Sequence, residues 1–375
     1  MDIRVITDMA EMERLRPQWR ELLEHSIRPT VFAGWEWQYQ CARLLADKGH
    51  LYLLTVFNDD QLDGLLPLYR SKTRLGGQIP ADTLACMGGN ITDYNALVVR
   101  QRKLSQVTTA LGQHLLKTGL ILNFENVLPG TALSILARYL PAHGFREIIY
   151  ESKTALYSDL GNDYNVFCKG LKRKFKKNLN NNRNHMNRDG QYSFHTEEPC
   201  EELLGELIRL HTARWEGKGE AGALARERIK SFHAALQQTE NRPFSIRYFT
   251  IRHDNSIMAI VYGFLFKDCF YAYLSGFDMA HNRISPGNMV LDFCVQNLIK
   301  NGIGRMDMLR GDMQYKKSWA TKTMAMKDRY LFPATAAGKT RHAALKALMA
   351  LKHRLPVSLK KNLKGMQNNL TGNSD

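Results

Sequence analysis

The 375-residue sequence lacks any apolar run approaching the ~18 residues that a membrane-spanning helix needs; VYGFLF (261–266) is typical of its longest. Its first residues, MDIRVITDMAEMERLRPQW, are charged throughout and hold no apolar signal core. Cysteine is sparse. Cys41, Cys86, Cys168, Cys200, Cys269 and Cys294 are scattered, form no CxxC, and sit at no zinc-finger spacing from a histidine. Reduced thiols, no disulfide partner and no metal are therefore expected. There is no Walker or dinucleotide glycine fingerprint. These absences point to a soluble, cytoplasmic chain. With 44% hydrophobic and 10% aromatic residues, it can bury a core in each of two domains.

Acidic residues are also in short supply: 36 Asp and Glu face 52 Lys and Arg, a net charge of +16. The excess is concentrated in two places. Residues 169–190 and 338–375 each carry +7, so the body of the chain is nearly neutral. In the first segment, Leu171, Phe175 and Leu179 recur every four residues, an apolar stripe on a basic helix suited to a polyanion or to simple docking. The asparagines that follow (Asn178, Asn180, Asn181, Asn182, Asn184) read as helix termination and loop. In the second segment, Leu345, Leu348, Met349 and Leu351 lie among basic residues ahead of Pro356. Such a basic amphipathic tail either meets an anionic membrane surface or packs on its own domain.

Two stretches share one plan of strand, polar turn and strand: LYLLTVFNDDQLDGLLPLY (51–69) and RYFTIRHDNSIMAIVYGFLF (247–266). Setting Thr55 on Thr250 places Asp59 on Asp254, Leu62 on Ile257, Leu65 on Ile260 and Leu66 on Val261, without a gap. This suggests two copies of one domain. Helical patterns at 10–25, 33–47, 103–118 and 130–143 surround the first hairpin, with strands near 95–100 and 120–126. Around the second, helices are expected at 170–188, 199–215, 225–238 and 287–301, and strands at 245–253, 256–267, 269–278, 305–310 and 327–333. The class is α/β, or α+β with mixed sheets.

The chemistry is densest from Cys269 to Trp319. A strand (FYAYLSGFD) ends in a loop (MAHNRISPG) that opens a helix at Pro286, Gly287 and Asn288. A helix N-terminus offers N–H groups and a positive dipole end, and Arg283 adds a bidentate donor, so Arg283, Ser285, Pro286, Gly287 and Asn288 form a candidate pyrophosphate cradle. The next strand carries Asp307, followed by Arg310, Asp312, Tyr315, Lys316, Lys317 and Trp319, an active-site-like mixture of acid, base and phenol.

The stretch GFD…SPGNMV…NG…D…RGDMQYKKSW resembles the cellulose-biosynthesis (CelD/BcsL-like) family of GNAT-type acyltransferases. VFAGWEWQ (31–38), LDGLLPLY (62–69), TDYNALVV (92–99), LKRKFKKNL (171–179) and LIRLHTARW (207–215) agree in order. That family is similar to the Fem peptidyltransferases in pairing two GNAT folds. The resemblance implies a tandem GNAT-like fold: a degenerate copy at 1–160, a donor-binding copy at 161–337, and the tail 338–375. It implies an acyl donor, acetyl-CoA first, on Arg283, Ser285, Pro286, Gly287 and Asn288. Arg283 and Gly287 stand one residue further apart than in the common pattern, so acyl-carrier protein and aminoacyl-tRNA remain alternative donors.

For catalysis the expectation is Asp312 or Asp307 as base with Asp278 third, Tyr315 as proton donor to the departing thiolate, Lys316 as holder of a substrate anion, and backbone N–H groups as oxyanion donors where the strand around Leu274–Gly276 splays from its neighbour. His211, Arg214, Trp215 and Asp278 would line the acceptor side. The acceptor class is a sugar, nucleotide-sugar or lipid-linked glycan of cell-envelope polysaccharide assembly; the alternatives are a Fem-like aminoacyl transfer to a peptidoglycan precursor and a non-catalytic, ligand-binding double GNAT, and the location is cytoplasmic, peripheral to the inner membrane if the tail docks there.

Overall fold

The computed structural model describes residues 1–45, 49–217 and 219–354. The first copy runs β1 (Asp2–Ile6), α1 (Met9–Arg14), α2 (Arg16–Glu24), α3 (Trp35–Leu45), β2 (His50–Asn58), β3 (Gln61–Leu75), β4 (Ile79–Cys86), β5 (Val98–Val99), α4 (Leu104–Thr118), β6 (Ile121–Val127), α5 (Ala132–Ala142) and β7 (Arg146–Asp159). The second follows as α6 (Tyr164–Lys169), α7 (Arg173–Asp189), β8 (Tyr192–Glu197), α8 (Glu201–Glu216), α9 (Glu227–Gln238), β9 (Ser245–His253), β10 (Ser256–Phe266), β11 (Cys269–Phe277), α10 (Pro286–Lys300), β12 (Arg305–Arg310), α11 (Gln314–Trp319) and β13 (Lys322–Phe332), with α12 (Ala336–Arg354) last. Apart from the short β5 and helices α3, α6, α7 and α12, both copies keep one order: strand, two helices, three strands, then helix, strand, helix, strand.

The repeat holds down to single residues. Asn58 pairs with Gln61 and His253 with Ser256, each across a two-residue turn. Asp59 (φ 53°), Asp254 (φ 47°) and Asn255 (φ 64°) take the left-handed backbone that such turns require and short Asp and Asn side chains tolerate. Both hairpins then slip register by one residue, skipping Asp63 in the first and Met258 in the second, which are matching positions of the repeat. In each copy an antiparallel meander ends in a parallel pair: β4 with β6, and β11 with β12.

The chain forms two compact units whose membership crosses the copies. One holds Met1–Arg28, Leu45–Ser152 and the residues from Lys327; the other holds Pro29–Leu44 and Lys153–Met326. The last strands are exchanged. In the first unit β6 is flanked by Lys327–Leu331 of β13, and in the second β12 is flanked by Ala155–Asp159 of β7.

In the second unit, β9 to β11 alternate. Phe249, Val261 and Phe270 join a core with Met289, Val290 and Cys294 of α10. Tyr262 and Phe264 face an aromatic layer instead, where Trp37 of the VFAGWEWQ segment stands 5.4 Å from both Phe264 and Tyr273.

One expectation is corrected, and one alternative is decided for the described residues. The asparagine run ends no helix: α7 continues through it to Asp189. Leu179 and Met186, two turns apart, are buried, and Arg183 clamps Asp292 of α10 from the same helix (Nε to Oδ2, 2.6 Å), so tertiary anchoring outweighs the weak helix propensity of Asn. The apolar stripe of the tail is used internally. Leu345, Leu348 and Met349 pack on Leu75, Ala81, Ile121 and Phe332, while Leu351 is exposed. Residues 355–375, with Pro356, lie outside the described residues. No helix among the described residues is long and apolar enough to cross a membrane.

Candidate functional site

Strands β11 and β12 pair through Cys269–Arg305, Phe270–Met306 and Tyr271–Asp307, and there the pairing ends. Each strand bends at that point. Against β10, β11 bulges at Tyr273; against β7, β12 slips between Asp307 and Arg310, with Leu309 left-handed at φ 63°. Bulges kink and twist a strand, which accounts for the divergence. Beyond Tyr271 one edge of β11 thus faces a gap.

Helix α8 crosses β11 at Gly276. A Cβ there would come within 2.7 Å of the His211 backbone nitrogen and of Leu210 Cβ, so only glycine permits the approach. This contact carries Arg214, one turn past His211, over the gap.

A cavity of about 140 Å³ opens there, walled by Ser275 and Phe277 of β11, Arg214 of α8 and Tyr315 of α11. Asn282 and Ser285 of the loop and Gly287 and Asn288 of α10 complete it. Arg214 lies over the Phe277 ring at 4.6 Å and the Tyr315 ring at 5.6 Å. Burial pushes its pKa down, partly opposed by Tyr315, and among the described residues no carboxylate pairs with it. Burial pushes the Tyr315 phenol up, against the Arg214 charge and a hydrogen bond with Ser275.

The start of α10 is built differently from the expected cradle. Ser285 is left-handed (φ 52°), and Pro286 at the first helical position has no N–H to give. The Asn288 and Met289 N–H groups donate to the Ser285 carbonyl at 2.9 and 3.1 Å. Gly287 is required by Phe277, whose ring would lie 2.9 Å from a Cβ. Asn288 Oδ1 accepts the Trp319 indole N–H at 3.2 Å, tying α10 to α11.

Of the residues singled out by sequence, Ser285, Gly287, Asn288, Arg214 and Tyr315 meet at the cavity, with Pro286 buried beside it. Arg283 is exposed and outside the lining. Asp278 caps the following turn, accepting the Ala280 N–H at 2.8 Å. His211 is buried next to the cavity; its Nε2 accepts the Trp215 indole N–H at 3.0 Å, and burial, then Arg214, lower its pKa to about 4. Asp312 is exposed and paired with Lys317 at 3.1 Å. Asp307 is buried and accepts the Leu309 N–H at 2.7 Å. Lys316 is buried, with Nζ donating to the Arg310 carbonyl at 2.7 Å. Ser275 lies within Leu274–Gly276, where a splayed strand was expected, whereas Phe277 and Asn282 escaped the sequence reading; the adjacent Ser275–Gly276 pair inside a strand is a local signal of close backbone approach.

The first unit has the same divergence after Ala85–Asn123, but it is filled. Asn95 forms a parallel bridge with Val127, donates its N–H to Asn126 (3.2 Å) and its side-chain amide to Glu125 (2.9 Å). Asn126 in turn donates to the Thr92 carbonyl (2.8 Å) and, from its N–H, to Asp328 (2.7 Å). The segment GGNITDYN occupies the place beside β6 that β4 leaves.

Residues 173–317, which include the whole cavity, match the family described as an acetyltransferase (GNAT) domain. No curated protein sequence matches the chain. Among solved structures, the chain is similar to FemX at a TM-score of 0.61 and 10% identity, over 88% of this chain and 97% of that one. It is also similar to a C-terminal domain from Agrobacterium fabrum named for a lysylphosphatidylglycerol synthetase, at a TM-score of 0.54 and 13% identity, over 91% and 95%. The fold is mixed α/β and GNAT-like, in two copies, with the GNAT-family match on the second.

Proposed function

We propose that the protein is an acyltransferase that moves an acyl group, acetyl in the first instance, from acyl-CoA to an amine or hydroxyl of a sugar, nucleotide-sugar or lipid-linked glycan precursor of the cell envelope. The carrying observation is the open divergence of β11 from β12 at a cavity holding the hydrogen-bonded Tyr315 and Ser275, in the copy that matches the GNAT family. GNAT domains generally use acyl-CoA, whose thioester supplies the activated carbonyl.

The residues divide the work as follows. Among the described residues no strand pairs with the β12-facing edge of β11 beyond Tyr271, so the backbone around Leu274–Gly276 supplies N–H donors for a developing oxyanion. Tyr315, kept protonated by burial, donates its proton to the departing thiolate. Asp312, at the surface end of the same segment, takes the acceptor's proton, since an oxygen of Asp307 is already committed to Leu309. The test is thiol release from acetyl-CoA over a panel of amino-sugar and sugar acceptors. Acceptor-dependent release that falls in Tyr315→Phe supports the proposal; no release with any acceptor overturns it.

A second reading, aminoacyl transfer from tRNA to a peptidoglycan precursor, draws on the exposed Lys172, Arg173, Lys174 and Lys177 at the start of α7. It predicts salt-dependent RNA binding that is lost when these are neutralised.

A further inference from the structure

One face of the first unit's sheet gathers three tyrosines around a carboxylate. Tyr69 of β3 pairs with Ala85 of β4, Ala85 with Asn123 of β6, and Asn123 with Tyr330 of β13, a single cross-strand row. The Tyr150 hydroxyl of β7 meets Asn123 Oδ1 at 3.0 Å and Glu125 Oε1 at 2.9 Å, which puts Glu125 on the same face. The Tyr150 ring stacks on that of Tyr330 at 4.5 Å. Two residues away along each strand, Ile121, Ile148 and Phe332 share an apolar cluster with Leu345 of α12. The tyrosines and Glu125 stay half-buried.

This cluster lacks a cation, in a chain whose net charge is +16. Among the described residues no Lys or Arg pairs with Glu125, and its Oε2 accepts no hydrogen bond. Arg329, next to Tyr330 in the chain, pairs with Glu147 instead. Burial, then Glu125, push the Tyr69 and Tyr330 phenols up to about 12, and no Lys or Arg opposes the push. A carboxylate with an uncommitted oxygen attracts an ammonium and accepts its N–H, and neighbouring aromatic rings attract a weakly hydrated cation. A divalent metal needs more oxygen ligands than one carboxylate provides, and no group of three metal-ligating residues occurs among the described residues.

We infer that Glu125, with Tyr69, Tyr150 and Tyr330 about it, forms a binding site for an organic ammonium group on the first unit. The carboxylate supplies the charge and the tyrosines the aromatic surround. The inference rests on this unit alone and does not require acyl transfer to be the reaction.

The experiment is ligand-observed NMR titration of the full chain with methylammonium, glucosamine and glucose, at mildly acidic pH where both amines are charged. It compares wild type, Glu125→Gln, Glu125→Asp, Tyr69→Leu and Glu198→Gln, the last removing an exposed carboxylate of the second unit. Glu125→Gln keeps an acceptor for the Tyr150 hydroxyl; Tyr69→Leu is the second variant should it fail to fold. Expected are saturable binding of methylammonium and glucosamine and none of glucose. Glu125→Gln should weaken binding about tenfold or more and Tyr69→Leu about fivefold, with partial retention in Glu125→Asp and no change in Glu198→Gln. No saturable binding by the wild type, equal binding by Glu125→Gln, or glucose binding as well as glucosamine overturns the inference. Glucosamine binding more tightly than methylammonium assigns the group to an amino sugar, and the reverse order to a simpler amine; either keeps the site. Ammonium binding through Glu125 without any acyl transfer would keep the site and remove the acyltransferase reading, and acyl transfer without ammonium binding would do the reverse.

Discussion

The Asp307 carboxylate accepts the N–H of Leu309, two residues on, at 2.7 Å, and so holds a leucine in the left-handed region at φ 63°. That conformation is costly for a branched side chain and persists only where surroundings enforce it. Its effect is to turn the end of β12. The Arg310 carbonyl meets Lys316 Nζ at 2.7 Å, and Gly311, at φ 110°, donates to Thr154 at 2.9 Å. Asp307 thereby sets the position of the segment that carries Asp312 and Tyr315.

This pairing separates two roles for Asp307. Asn keeps an acceptor for the Leu309 N–H, so Asp307→Asn should retain most activity and an unchanged pH profile. Asp307→Ala leaves a buried N–H unsatisfied and should lose about 1–3 kcal/mol of stability together with activity. Chemical denaturation and pH–rate profiles of both variants decide; if Asp307→Asn is as inactive as Asp307→Ala at normal stability, the carboxylate is the base.

Tyr315→Phe removes the phenolic proton and its bond with Ser275 but keeps the ring beneath Arg214. A turnover loss of about a hundredfold, with little change in KM for the donor, is expected of a proton donor. Because burial raises the Tyr315 pKa above its ordinary value, the group stays protonated at neutral pH, and any alkaline fall below that ordinary value must come from another residue. Equal loss in KM and turnover would indicate packing instead.

Gly276→Ala tests the seat of α8. The new methyl group would meet backbone as well as side chain at 2.7 Å, so α8 must move and take Arg214 with it. A stability loss of about 1–3 kcal/mol and lower activity are expected. Thermal melts and acceptor-dependent thiol release read the two effects.

Acid should unfold the protein partly through its buried histidines. His211 and His233 have their pKa lowered to about 4 and about 3, chiefly by burial, whereas the unfolded imidazole titrates near 6.5. Between those values the unfolded chain binds protons that the native state refuses. Stability is therefore full above about pH 6.5 and falls with decreasing pH, by up to about 1.4 kcal/mol per unit for each histidine. Denaturant titrations from pH 7 to 5 should show this slope, and His211→Gln should flatten it; an unchanged slope in that variant would be contrary.

The hairpin repeat was legible because strand alternation and Asp-rich turns are local, and both turns and both register slips fall at matching positions. The exchange of final strands was not, since Lys327–Leu331 and Ala155–Asp159 carry ordinary strand patterns that name no partner. The asparagine run misled because Arg183 finds Asp292 only in three dimensions. At the site, the Ser285–Asn288 helix start could be read from Pro and Gly and the splay around Leu274–Gly276 from the family resemblance, but the two bulges that open the gap beside Ser275 are announced by no motif.

The most direct test of the account is calorimetric titration of the full chain with acetyl-CoA, alongside Ser275→Phe, which fills the cavity of the second unit. The account predicts one binding event per chain, abolished by Ser275→Phe, because the corresponding gap of the first unit is closed by Asn95. Two equivalent sites, or one site indifferent to Ser275→Phe, would contradict it.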